Sequence, residues 1–299
     1  MPPYFVKLIP VLIMFSLGFV SKKLNIFNKK DADRFLQLVL NITLPALTIV
    51  SLSNLIITID LLYLVILPIV IVLLTFIPTY IICRELKISQ SRKGTFLLGS
   101  IIINTGFVST FIYAFFGQSA FGYYSLFDLG NSVMIYLFAY YQAIRYSSKK
   151  GSRLPIKKIL SLPPIWGIVI GLGINFLPIN LNQLPISVLD YIASPTMPLI
   201  IFALGIYFHP KLANVKLTLE VISLRMGLGF LLGMLIVHLF RLEQPISDIV
   251  LICASAPVGF NTLIFSELEE LDREFAATIV SFSLILSLLF ITFYSYFIL

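Results

Sequence analysis

Nearly the whole chain consists of long apolar runs, separated by short loops that contain most of the charged residues. Each run approaches the roughly 20 residues that an α-helix needs to cross a bilayer. Hydrophobic residues make up 59% of the chain and charged residues 12%, whereas soluble domains have roughly 45–50% and 25%. These values exclude a soluble globule and a disordered chain. The runs are also continuous, without the alternation of a β-barrel.

The apolar runs predict an all-α polytopic membrane protein with ten transmembrane helices. The predicted spans, in order, are 4–22, 35–53, 60–83, 94–116, 122–145, 158–176, 186–207, 216–240, 247–266 and 274–297. The first run lacks the basic start and the cleavage site of a signal peptide, so we expect it to be a membrane helix.

Loop charge predicts the orientation of these spans. Lysine and arginine concentrate in the 22–34, 84–93 and 145–158 loops, and are absent from the alternate loops 54–60, 117–121 and 177–185. Because basic loops face the cytoplasm, we expect the linker 146–157 to be cytoplasmic and both termini to lie outside, in the plasma membrane. The net charge of +7 is therefore a topology signal, and no nucleic-acid partner is predicted.

Several prolines and glycines recur at a fixed separation of 153 residues. The matching pairs are Pro10 and Pro163, Gly18 and Gly171, Pro45 and Pro198, and Gly106 and Gly259. Loop charge reverses between the two halves, since the basic 22–34 loop matches a cation-free 175–187 loop. An odd number of spans per half places the second half upside down. The sequence therefore predicts two inverted five-helix repeats, 1–146 and 158–299, joined by the linker 147–157.

Two of the predicted spans contain polar residues and helix breakers at mid-membrane depth. Span 4 carries the polar cluster 103–110, and span 9 carries the segment 254–262, which includes a proline and a glycine. Backbone leaves the helix inside a bilayer only where protein or a water-filled cavity satisfies it. We expect broken helices 4 and 9 that cross at a substrate site. The alternative is a pair of kinked helices whose polar side chains pack between their neighbours.

Short motifs spread over the chain identify a family that it resembles. They are Asn41–Leu47, Asn104–Phe107, Leu126–Asn131, Pro198-Leu199, Ala203–Gly205, Ala254–Asn261 and Leu271-Asp272. As a set they resemble the auxin efflux carrier family, which includes plant PIN-type carriers and many prokaryotic organic-acid permeases. The resemblance implies two five-helix repeats, broken helices 4 and 9 that cross at the substrate site, and transport of small organic anions. Two features differ from plant members: Asn104 stands where they typically have proline, and the linker is short.

The predicted substrate-binding residues lie at the two breaks. They are Asn104, Thr105, Gly106, Pro257, Val258, Gly259 and Asn261. Free N–H groups at the N-termini of the restarted helices favour an anion. The two asparagine amides and the threonine hydroxyl can orient the substrate. For Asn261 the alternative is that it caps its own helix.

Three further polar residues are candidates for proton or ion coupling, or for support of the site. Asp128 and Asn131 share a face of span 5, and an intramembrane carboxylate is a functional candidate. The alternative for Asp128 is an acid near the outer interface that bonds to helix ends. Arg225 either reaches the cytoplasmic surface, attracts the substrate carboxylate or pairs with Glu220. The acidic 267–274 loop is expected to be solvated.

The sequence thus predicts a secondary transporter that moves small organic anions, such as carboxylates or auxin-like acids, by alternating access. A coupling H⁺ or Na⁺, contact with membrane lipid and homodimer formation are left open. The alternatives are a sodium/proton antiporter on the same architecture and a non-transporting membrane sensor. No ATPase motif, cofactor site, metal site or catalytic motif is found, so an enzyme is not expected.

Overall fold

The computed structural model describes residues 3–53, 55, 59–149, 163–177, 183–208 and 214–298. Within these ranges every regular element is a helix and no strand is found, as expected for an all-α protein. Of the predicted linker 147–157, only 147–149 lies inside the described residues.

The helices follow the apolar runs of the sequence. They are α1 (Pro3–Lys23), α2 (Lys29–Ser53), α3 (Tyr63–Glu85), α4 (Gln90–Ile101), α5 (Thr105–Val133), α6 (Tyr140–Tyr146), α7 (Pro163–Phe176), α8 (Gln183–Tyr207), α9 (Val215–Phe240), α10 (Ile246–Ala254), α11 (Asn261–Leu268) and α12 (Arg273–Ile298). A π-helical turn, Met134–Ala139, makes α5 and α6 continuous. By length and composition, five helices of the described chain are able to cross a membrane: α2, α3, α8, α9 and most of α12. The protein is therefore a multi-pass membrane protein.

Two local features fix helix boundaries. A capping box starts α2: the Asn28 side chain accepts from the N–H of Lys30, and Asp31 accepts from the N–H of Asn28. This cap is why α2 begins at Lys29, ahead of the span that we predict from residue 35. Gly117, with φ of 78°, divides α5 at the position of the predicted loop 117–121. Glycine adopts this positive φ without the strain that a side chain would introduce.

Packing of the helices places the ends of α4, α5, α10 and α11 in the interior. α1 lies along the second part of α8, and α2 lies along α7. α5 packs against α3 and also contacts α2, α8 and α10. α4 packs on α12, and α10 lies between α9 and α5. The helix ends that meet in this interior form the candidate site.

Candidate functional site

Two non-helical segments face each other inside the protein. Residues 102–104 connect α4 to α5, and residues 255–260 connect α10 to α11. Ile103 and Val258 form an antiparallel bridge. The N–H of Asn104 donates to the carbonyl of Pro257 at 3.0 Å, and the N–H of Gly259 donates to that of Ile102 at 2.9 Å. Each interruption therefore satisfies backbone groups that the other one frees.

The residue types explain why the chain leaves the helix here. Pro257 has no N–H to donate to the preceding turn. Gly259 permits the close approach of the two segments, because a Cβ at this position would lie 2.4 Å from Cγ2 of Ile102. Ser283 of α12 accepts the N–H of Val258 at 3.0 Å. Sequence reasoning missed Ser283, since a serine within an apolar helix carries no signal of its partner.

Asn104 holds the start of α5. Its Oδ1 accepts the N–H of Phe107 at 3.1 Å, and its Nδ2 donates to the carbonyl of Val258 at 3.3 Å. The side chain is 5% exposed. Because the oxygen and the nitrogen of the amide are both bonded, Asn104 is the N-cap of α5 and also binds the second segment in this conformation.

The groups left open for a ligand lie in the first turns of α5 and α11. N–H groups in the first turn of a helix have no intrahelical acceptor, and those of Thr105 and Gly106 are of this kind. Gly106 is exposed. Asn261 is partly exposed, and its side chain does not cap α11, whose N-cap residue is Phe260. The geometry thus argues against the capping alternative for Asn261, whose amide has no hydrogen-bond partner among the residues that the structure describes.

A polar network connects the first turn of α5 to the second part of the same helix. Thr105 donates to Asp128 at 2.6 Å. The Nδ2 of Asn131 lies 3.0 Å from the hydroxyl of Thr105 and 3.3 Å from Asp128. Asp128 is therefore bonded next to the interruption, to the residue that begins α5.

Arg225 neither reaches the surface nor pairs with Glu220, which were two of the three roles that the sequence left open. It is fully buried, and its Nη2 and Nε donate to the carbonyls of Ala254 and Ala256 at 2.5 and 3.3 Å. It forms no ion pair with Glu220, although both residues are described. Its guanidinium lies at the C-terminal end of α10, where a positive charge is favourable. A π-helical turn, Ser223–Leu228, carries it.

Two cavities lie close to the interruptions. The first, of about 170 Å³, has an almost entirely apolar lining that includes Phe107 and Phe111 of α5 and Leu284 of α12. The second, of about 210 Å³, has a polar rim that includes Lys29 and Arg273, and it reaches Phe260 and Leu284. The two cavities share Leu284 as a lining residue, and one is apolar whereas the other contains charged side chains.

The acidic 267–274 segment is solvated only in part: Glu267, Glu270 and Glu274 are exposed, whereas the other two acids are bonded to distant helices. Glu269 is 2% exposed and accepts from Tyr140 at 2.7 Å. Asp272 pairs with Arg92 at 2.6 Å. Bonds between Ser147 and Glu269 and between Lys149 and Leu268 tie the start of the linker to the same segment. The carboxylates pair with hydroxyl and basic groups from helices far away in sequence, which a sequence pattern does not reveal.

Comparisons with known proteins agree with this architecture. A family model described as membrane transport protein matches the chain twice, over residues 3–155 and 147–295. An uncharacterized transporter of Methanocaldococcus jannaschii is 25% identical over 291 residues, which cover 94% of each chain. The resemblance to auxin efflux carriers is thereby confirmed, and the protein is a membrane transporter and not an enzyme. The chain belongs to the membrane transport protein family that includes the auxin efflux carriers.

Proposed function

We propose that the protein is a secondary carrier that moves small organic anions, carboxylates or auxin-like acids among them, by alternating access. The substrate carboxylate binds at the crossing of the two interruptions, and its apolar part occupies the adjacent cavity. Asn104, Pro257, Val258 and Gly259 shape the site, whereas Thr105, Gly106 and Asn261 contact the anion.

The observation that carries this proposal is the free hydrogen-bonding capacity at the crossing. The first-turn N–H groups of Thr105 and Gly106 point from the positive end of α5, where an anion is favoured. The unbonded amide of Asn261 begins α11 on the opposite segment. A site built from such neutral donors binds weakly enough to release its ligand, as a carrier must.

Two independent regularities support the inverted repeats, 1–146 and 158–299, and with them the ten-span topology. The family model matches once in each half. In addition, Gly18 packs against Phe202 and Gly205, while Gly171 packs against Ile49 and Leu52. Gly171, Ile49 and Leu52 are each separated by 153 residues from Gly18, Phe202 and Gly205, respectively. A packing match at the same offset supports a pseudo-twofold relation between the halves.

Charge and acid placement support the rest of the proposal. The basic loops favour a cytoplasmic linker with both termini outside, in the plasma membrane. A sodium/proton antiporter typically needs paired intramembrane acids. In the described residues, the hydrogen-bond partners of Asp128 are Thr105 and Asn131. The anion carrier is therefore the better supported function.

Ligand binding by purified protein tests the proposal. Thermal stability is measured with benzoate, indole-3-acetate, succinate and L-malate, because a ligand present at 100 times its Kd stabilises the folded state by about 2.7 kcal/mol. We expect at least one of these anions to stabilise the wild type. Asn261→Ala should weaken its binding by about 3- to 100-fold, through the loss of one or two hydrogen bonds.

Ser287→Ala is the matched control, since Ser287 is a buried polar residue of α12 without a hydrogen-bond partner in the described chain. It should bind the anion as the wild type does. If none of the four anions stabilises the wild type, the proposal of an organic-anion carrier is wrong. If Asn261→Ala binds as tightly as Ser287→Ala, the site is not at the crossing.

A further inference from the structure

We propose that Asp128 is a proton-binding site linked to the substrate, so that the carrier moves each organic anion together with one proton. This inference rests on the proposed function and names its coupling ion. Three features of the described residues carry it: the hydrogen bond that Asp128 accepts from the first residue of α5, its lack of a positive partner, and an unsatisfied acceptor beside it.

The first feature is the direct bond between Asp128 and the proposed anion site. Thr105 is the first residue of α5, and its hydroxyl donates to Asp128 at 2.6 Å. The N–H groups of the same turn are those that would hold the substrate. An ionised Asp128 therefore interacts with the positive end of the α5 dipole, where the substrate anion would also bind. The carboxylate of Asp128 and the bound anion would both lie against the first turn of α5. Two negative charges this close repel each other strongly in a low-dielectric interior.

The second feature is the neutral surroundings of Asp128. No lysine or arginine of the described chain forms an ion pair with it. The titratable groups that face it are Tyr124 and Tyr136 from the same helical run and Cys253 from the end of α10, all of which are neutral near pH 7. The buried cation at the end of α10, Arg225, donates to the carbonyls of Ala254 and Ala256, and its Nη1 has no hydrogen-bond partner in the described chain. Since no positive group of the described residues bonds to Asp128 itself, a proton is the compensating charge that the proposal assigns to this carboxylate.

The third feature is the Oδ1 atom of Asn131, which is buried and has no hydrogen-bond partner in the described chain. The Nδ2 atom of the same amide already donates to Asp128 and Thr105. A protonated Asp128 gains an O–H donor, and the Asn131 carbonyl is the neighbouring acceptor that lacks one. A proton on Asp128 would therefore add a donor beside the one acceptor of Asn131 that lacks a partner in the described chain.

These features give a sign to the coupling. Binding of the anion raises the proton affinity of Asp128, and a proton on Asp128 raises the anion affinity by the same factor. Coupling of this kind is typically about 5- to 150-fold. Wild-type affinity for an anion should therefore fall as the pH rises and Asp128 ionises.

Calorimetry on purified protein measures this linkage directly, with benzoate and L-malate as probes. The binding heat is compared in buffers of different ionisation enthalpy between pH 5.5 and 8.5, which gives the number of protons taken up. We expect uptake that approaches one proton per anion at some pH in this range. Asp128→Asn should bind the anion with no uptake and with little dependence on pH. Asp248→Asn is the control, since Asp248 is a buried acid bonded to Tyr294 at 2.8 Å, and it lies in the first turn of α10, at the end opposite the crossing.

The outcomes separate the coupling from the function on which it rests. Absence of binding by both probes contradicts the organic-anion site itself. Binding without proton uptake across the whole pH range overturns the coupling alone, as does equal uptake by Asp128→Asn and wild type. Stabilisation by Na⁺ that is lost in Asp128→Asn would assign a sodium ion in place of the proton. If Asp128→Asn does not fold, the wild-type proton count and pH profile still decide the matter.

Discussion

Replacing Gly259 by alanine tests whether the close approach of the two interruptions holds the site together. The new Cβ would lie 2.4 Å from Cγ2 of Ile102 and 3.2 Å from the carbonyl oxygen of Ile103. Carbon atoms in contact are separated by about 3.5–4.0 Å. One segment must therefore move by about 1 Å, or the Ile102 side chain must leave its rotamer.

The size of the effect follows from the bonds between the segments. A shift of about 1 Å would stretch the two backbone hydrogen bonds, now 2.9 and 3.0 Å, beyond bonding distance. Each contributes about 0.5–1.5 kcal/mol. Overpacking of a core typically costs about 1–3 kcal/mol, which is the same range. We expect Gly259→Ala to lower the free energy of unfolding by about 1–3 kcal/mol and to weaken anion binding.

The assay is thermal unfolding of the purified protein with and without benzoate. Gly173→Ala is the control, because a Cβ at Gly173 of α7 meets no atom within 4 Å. The double variant Gly259→Ala/Ile102→Ala identifies the cause. Ile102→Ala alone costs about 2–5 kcal/mol, but it removes the atom that clashes, so Gly259→Ala should then cost little more. The reasoning is refuted if Gly259→Ala is as stable as Gly173→Ala, or if the two costs simply add.

Two further predictions concern a neighbouring bond and the topology. Ser283→Ala should destabilise the protein by about 1–3 kcal/mol in thermal unfolding, because it leaves the buried N–H of Val258 without an acceptor. The control is Ser287→Ala, one turn later, which should not destabilise the protein in this way. Equal effects of the two substitutions would contradict the role of Ser283 as the acceptor. Cysteines introduced at the exposed positions Ser148 and Gln183 should react with an impermeant maleimide from opposite sides of the membrane. The native Cys83 and Cys253 are buried and should not react. Labelling of both positions from the same side would exclude the proposed orientation.

Most of the helical architecture could be predicted because the bilayer imposes a simple rule on the sequence. A run of about 20 apolar residues has few options other than a helix. The helices α3, α8 and α9 consequently lie within a few residues of the predicted spans. The early start of α2 was not predicted, because its first segment, Lys29–Leu38, is polar and amphipathic and does not form part of an apolar run in the sequence.

The positions of the two helix interruptions were predictable, but the roles of the individual side chains there were not. Pro257 and Gly259 carry a local signal, since their backbone chemistry weakens a helix wherever they stand. The role of Asn104 depends on a partner 154 residues away in sequence, the carbonyl of Val258. Arg225 likewise bonds to carbonyls that become available only because α10 ends at Ala254. Such roles arise from tertiary contacts, so a single sequence does not define them.

Different side chains satisfy the free backbone groups at the two interruptions. A helix that stops inside a membrane exposes N–H and carbonyl groups that need partners. At the first interruption Asn104 supplies the N-terminal cap, and at the second Arg225 supplies donors for the freed carbonyls of Ala254 and Ala256. Under the separation of 153 residues, Asn104 matches Pro257 and Arg225 matches Val72, so neither solution is repeated in the other half.

This asymmetry has a consequence for how the site responds to change. The backbone bonds between the interruptions are shared, because the N–H of Asn104 and the N–H of Gly259 each donate across the crossing. Loss of the Asn104 cap therefore also releases groups of the second segment, and loss of Arg225 also loosens the first. Substitutions on the two sides should be coupled in stability, as expected for residues in one hydrogen-bond network. The crossing is thus a single structural unit, held together by backbone and side-chain bonds from both segments.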